Sequence, residues 1–212
     1  MVTDNLLIAT PHTLSDPNLS SPEEMQSNYV RIISMSFAAL IQLVKVSSTE
    51  CFSTLLDNPK FLKFSKDGTP AVRKGLFEFL HEFVSVHPQF ASNYSKQMAK
   101  TVFNNLNDNH AGSACATWSL ALLLLSSFPD DSANAIKNIL PSIYKLLSSG
   151  GNGVAKFTFH NLMPFLSKLQ QTKLKSDIST EKWLSSLNSG LETLLENSKV
   201  EDEIQAEINL GF

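Results

Sequence analysis

Cysteine is almost missing from this chain of 212 residues, which has only Cys51 and Cys115. Two thiols so far apart cannot make a disulfide framework or a structural zinc site, as a reducing compartment predicts, and both are read as packed thiols. An excess of either charge is missing too. Seventeen basic residues stand against 20 acidic ones for a net charge of -3, so nothing global draws the chain to the phosphates of nucleic acid, DNA included, or to anionic lipid. A local basic patch is compatible with that balance. No secretory leader is expected, because M-V-T-D-N-L-L-I-A-T carries an acid where a leader would be basic and its apolar run is short. The longest near-apolar stretch, 114–128, falls short of the roughly 20 residues that cross a bilayer and holds Thr117, Ser119, Ser126 and Ser127. It is read as a buried helix, and the expected location is the cytosol. Strand signals are scarce as well, since Asp67-Gly68 leads into helical periodicity and not into a hairpin.

Apolar residues are plentiful, at 42%, and their spacing is helical. The expected class is all-α, an α-solenoid of HEAT- or armadillo-like helical hairpins, with an extended leading segment over 1–20, repeats over 21–199 and an acidic tail or frayed helix over 200–212. Ser21-Pro22-Glu23-Glu24 reads as a capping box with proline at the first helical position. Helices are predicted over 22–46, 49–56, 70–86, 90–106, 112–128, 132–148 (capped by Asp131-Ser132), 153–169 and 180–196, with a turn at 60–64. Pro164 predicts a kink or break.

The run D-G-T-P-A-V-R-K-G-L-F-E-F-L-H-E-F-V-S-V-H-P over 67–88 shows the organisation most clearly. On a wheel of about 100° per residue, Val72, Leu76, Phe77, Phe79, Leu80, Phe83 and Val84 fill one half, and Arg73 lies inside that arc. A shift of 41 residues places Asp67 on Asp108, Phe77 on Trp118, Phe83 on Leu124 and Pro88 on Pro129; a shift of 82 places Phe77 on Phe159 and Phe83 on Phe165. The unit is thus a helical hairpin of about 41 residues, within the range of HEAT and armadillo repeats. Asp67 and Arg73 are assigned structural roles: guanidinium donors can satisfy the turn's carbonyls and carboxylate while the stem packs on Leu76 and Leu80. The second copy keeps Asp108 but has Ala114 in place of the arginine.

Catalytic patterns do not assemble. His81-Glu82 with His87 has the wrong spacing for H-E-x-x-H and is read as two solvated histidines. His12, His110 and His160 lack ligands at metal spacing, and Cys115 has no base at a motif distance. Trp118 and Trp183 are read as core. Gly150-Gly151-Asn152-Gly153-Val154-Ala155-Lys156 precedes a helix but fails the P-loop pattern; it is read as a structural loop, with Gly151, Asn152, Gly153 and Lys156 as a candidate contact for RNA or an acidic protein surface. No catalytic, cofactor-binding or metal-binding residue is assigned.

The segments G-N-G-V-A-K-F-T-F-H-N-L-M-P-F-L-S-K-L at 151–169, S-D-P-N-L-S-S-P-E-E-M-Q-S-N-Y-V-R at 15–31 and N-P-K-F-L-K-F-S-K-D-G-T-P-A-V-R at 58–73 resemble the amino-terminal HEAT region of the listerin family. D-x-x-x-x-V-R at 67–73 is also similar to the start of a HEAT repeat. The resemblance implies part of a RING-type E3 ubiquitin ligase of ribosome-associated quality control, whose partners are the large ribosomal subunit and quality-control factors. The RING's zinc would lie elsewhere, because two cysteines cannot supply its eight ligands; this chain would be a non-catalytic fragment with no cofactor of its own. The alternative is a free-standing HEAT or armadillo adaptor that binds a peptide in its groove and has no ubiquitin role.

Overall fold

A computed structural model describes residues 9–10, 21–149, 155–176 and 179–196, and among these every regular element is helical. The helices are α1 (Pro22–Val46), α2 (Glu50–Leu56), α3 (Pro70–Val86), α4 (Pro88–Ala91), α5 (Ser95–Phe103), α6 (Ala111–Ser127), α7 (Pro129–Lys137), α8 (Leu140–Ser148), α9 (Ala155–Leu169) and α10 (Thr180–Glu196). Short 3-10 helices cover Phe61–Lys66, Ser92–Tyr94 and Lys173–Ser176. The fold is all-α, as expected. The expectations for 1–8, 11–20 and 200–212 lie outside the described residues.

Two compact units divide the chain, Met1–Tyr94 and Ser95–Phe212. In the first, the capping box starts α1: Ser21 Oγ accepts from the Glu24 amide at 3.2 Å, and Glu24 Oε2 accepts from the Ser21 amide at 2.8 Å. Tyr29, Ile33, Phe37, Leu40 and Val44 then repeat at three or four residues and bury one stripe of α1, which packs along α3. By length and composition α1 could cross a bilayer, a property that attention to 114–128 overlooked. Here that helix is hydrogen-bonded to the start of α3 through Gln26 and Tyr29. All seven residues assigned to the apolar arc of α3 are buried. Gly75 lets the two helices approach, since a Cβ there would lie 2.8 Å from Phe37 Cδ2. Phenylalanines fill the space between elements: Phe61 meets Phe79 edge-on at 5.5 Å, and Phe83 meets Phe52 at 5.6 Å and Phe90 at 6.1 Å.

In the second unit like helices lie side by side, α6 with α9, α5 with α7, and α8 with α10, the pairing that stacked hairpins require. Trp118, Phe165 and Trp183 form its aromatic centre, with Trp118 meeting Phe165 edge-on at 5.4 Å and Phe165 stacked on Trp183 at 6.5 Å. Both tryptophans are core residues, as read from sequence.

Several expectations need correction. The single helix predicted over 90–106 is broken at Ser92, whose hydroxyl competes for the backbone by donating to the Gln89 carbonyl at 2.6 Å. The helix predicted over 132–148 starts at Pro129, with Asp130 and Asp131 in its first turn and not Asp131 as cap, and it stops at Lys137. It stops there because Pro141, four residues on, has no amide to donate to the Lys137 carbonyl, and it restarts at Leu140 with Pro141 in the first turn, where an amide would have no intrahelical partner. Pro164, in contrast, does not break α9; it is exposed, so the carbonyl left without a donor can meet water. Cys51 and Cys115 are exposed, not packed. Cys115 lies on the α6 face that also carries exposed Ser119 and Ser126.

Candidate docking surface

The turn before α3 is organised by Asp67. Its Oδ1 accepts from the Thr69 amide at 2.8 Å, and its Oδ2 accepts from the Tyr29 hydroxyl of α1 at 2.7 Å. Arg73 lies half-buried and its Nη1 donates to the Asp67 carbonyl oxygen at 2.7 Å, so this guanidinium bond goes to the backbone of the turn. Burial, the bond to the Asp67 carboxylate and the charge of that carboxylate all hold the Tyr29 hydroxyl protonated well above the usual tyrosine range.

The second unit repeats this corner with different side chains. Asp108 Oδ1 accepts from the His110 amide at 3.0 Å, matching Thr69, while Oδ2 accepts from the buried Ser113 hydroxyl at 2.6 Å. The elements agree residue for residue with the 41-residue shift: α3 starts at Pro70 and α6 at Ala111, and they end at Val86 and Ser127. The caps agree as well, His87 at φ -124°, ψ 54° and Phe128 at φ -136°, ψ 67°.

His87 is not a solvated residue, a further correction to the sequence reading. Its Nε2 is 2.8 Å from the Val44 carbonyl and its ring packs 5.8 Å from Phe83. It ties the end of α1 to the α3–α4 corner, beside an open groove of about 620 Å³ lined by Thr49, Val86, Gln89, Phe90 and Asn93. His81 is half-buried on α3, whereas His110 and His160 are exposed. Among the described residues no three His, Cys, Asp or Glu side chains converge on a point. Zinc of the RING type therefore does not fit them. Gly151, Asn152 and Gly153 lie outside the described residues; Lys156 stands in the first turn of α9, with its side chain outside them.

One surface feature was missed in the sequence. Lys60, Lys63 and Lys66 are exposed along the 3-10 segment, and their spacing of three is visible in N-P-K-F-L-K-F-S-K. Reading every run at 3.6 residues per turn hid it, because only a three-residue turn aligns those positions.

The amino-terminal domain model of E3 ubiquitin-protein ligase listerin matches residues 1–169. The chain belongs to the listerin family. It is 32% identical over 175 residues to the chicken (Gallus gallus) E3 ubiquitin-protein ligase listerin, covering 78% of this chain and 10% of that protein. Against mouse (Mus musculus) listerin the identity is 31% over 200 residues, 90% of this chain and 11% of the relative. The Drosophila melanogaster protein of the same name is 30% identical over 190 residues, 82% and 11%. The chain thus spans about a tenth of the length of these listerins. No solved structure matches it.

Proposed function

We propose that this chain is a HEAT-type scaffold segment of a listerin-type E3 ubiquitin ligase, which docks and positions the ligase on the large ribosomal subunit in the cytosol while ubiquitin transfer takes place elsewhere in the parent protein. The observation that carries the reading is the listerin amino-terminal match over residues 1–169. Two further features support it. The bounds of α3 and α6, which agree at a 41-residue shift, fit a repeated helical surface suited to docking, and the converging polar groups at the Asp67 and Asp108 corners hold turns instead of forming a nucleophile and base. Quality-control factors that engage the nascent chain are the expected protein partners.

Co-sedimentation of the 212-residue chain with purified large ribosomal subunits, alone and with the nascent-chain-binding factor, tests the reading. Pelleting in either condition is the expected result. Absence from the pellet in both removes docking and leaves a spacer.

A further inference from the structure

We propose that Lys60, Lys63 and Lys66 form a contact for the phosphate backbone of RNA. The 3-10 helix has three residues per turn and rises about 2.0 Å per residue, so positions three apart lie one above another at steps of about 6 Å. Bonds from the Lys63 amide to the Lys60 carbonyl at 3.2 Å and from the Asp67 amide to the Phe64 carbonyl at 3.1 Å show that winding. The edges sort by chemistry. Phe61 is fully buried and meets Phe64 and Phe37, so the aromatic edge fixes the segment in the core while the lysine edge faces solvent.

Among the described residues these ammonium groups have no ion pair, whereas Lys45, Lys74 and Lys173 pair with Glu82, Glu78 and Asp130. The flanking carboxylates are engaged elsewhere, Asp57 by the Tyr94 hydroxyl at 3.0 Å and Asp67 by Tyr29. The fold does not demand lysine here. Forty-one residues on, the same positions are Thr101, Asn104 and Asn107, while the buried Phe61 becomes buried Val102. The inner edge is kept for packing, and the full row of three lysines occurs in one copy; at a shift of 82 the same positions are Ser142, Lys145 and Ser148.

A row of evenly spaced, flexible point charges suits a line of phosphates, which it neutralises with counterion release. A lipid surface would also take apolar insertion. The large exposed apolar side chains among the described residues, Met35, Leu43, Val46, Val86 and Leu184, all lie off this segment.

The inference deepens the docking reading and rests on it for subunit RNA as the ligand. The full chain is compared with Lys60→Gln/Lys63→Gln/Lys66→Gln and with a charge-matched control, Lys96→Gln/Lys100→Gln/Lys145→Gln, for binding to a labelled RNA hairpin, to phosphatidylserine vesicles and to large subunits across a salt series. Unchanged melting of the exposed-site variants is the fold check. The row variant is expected to lose about tenfold or more in RNA affinity at low salt, and its slope of log K on log salt to flatten by about two to three, near one per lysine. The control should change less than twofold. Equal losses in both variants, no loss in either, or binding to vesicles alone overturns the proposal. If the wild-type chain ignores subunits yet binds the hairpin through the row, docking falls and the row stands. If both variants pellet with subunits like wild type, docking stands and the row falls.

Discussion

The two units solve the same corner with different partners. In the first, the second oxygen of Asp67 reaches a hydroxyl on another helix, Tyr29 of α1, and Arg73 supplies the turn's carbonyl. In the second, Asp108 takes Ser113, five residues further along, and Ala114 replaces the arginine. The Asx bond to the amide two residues on is common to both. The aspartate therefore holds the repeat's turn, while tyrosine and arginine bind that turn to its surroundings in one copy. The cores differ in parallel, with a run of phenylalanines in the first unit and a Trp–Phe–Trp centre in the second.

The largest effect should come from the aromatic run. Phe83 is fully buried and touches Phe52, Phe79 and Phe90, so Phe83→Ala should cost about 3–5 kcal/mol in urea unfolding. Its counterpart Leu124→Ala should cost about 2–5 kcal/mol and lower the second unit alone. If Phe83→Ala proves milder than Leu124→Ala, the phenylalanine run is not the first unit's main support.

The corner comes next. Arg73→Ala should lower the stability of the first unit by about 1–3 kcal/mol, because the Asp67 carbonyl loses a charged donor. Subunit binding by the folded chain should stay unchanged. Loss of binding with unchanged melting would instead place Arg73 in an interface.

How much of this was legible follows from which signals are periodic. The ends of α1 and α3, the buried arc of α3 and the 41-residue correspondence could be read directly, since capping chemistry and helical spacing are local. Breaks at Ser92 and Pro141 were passed over because long apolar patterns hid a polar competitor in the one case and a missing amide in the other. Cys115 was misplaced because α6 is apolar on nearly every side, so periodicity could not say which face meets water. Tyr29 gives no sign of its partner: the bond to Asp67 spans 38 positions and exists only once α1 lies on α3.

A smaller test exchanges one atom between copies. Gly75 corresponds to Ala116, which is buried without needing glycine. Gly75→Ala removes the helix penalty of glycine, about 1 kcal/mol, but drives a Cβ to 2.8–3.0 Å from Phe37 Cδ2, Cβ and Cγ, near the ring's attachment where it cannot swing away. Overpacking of this kind costs about 1–3 kcal/mol, so the net change should be a loss of up to about 2 kcal/mol. Ala116→Gly should lose about 1 kcal/mol through propensity alone. Stabilisation by Gly75→Ala would mean that the α1–α3 contact is looser than its geometry.

The smallest effect at neutral pH belongs to Tyr29, and alkaline titration separates the units. In the unfolded chain a tyrosine releases its proton near pH 10, while in the folded chain burial and the Asp67 carboxylate keep Tyr29 protonated to higher pH. Between those values the folded state binds more protons than the unfolded one, so stability falls as pH rises. The contribution of the raised pKa is complete below about pH 10 and disappears as pH climbs through the folded value. Unfolding midpoints measured from pH 8 to 11 should therefore drop for the first unit, and Tyr29→Phe should flatten that drop while sparing the second unit, whose Asp108 is held by a serine that does not titrate there. An unchanged alkaline slope in Tyr29→Phe would remove the Tyr29–Asp67 bond as the feature that distinguishes the two corners.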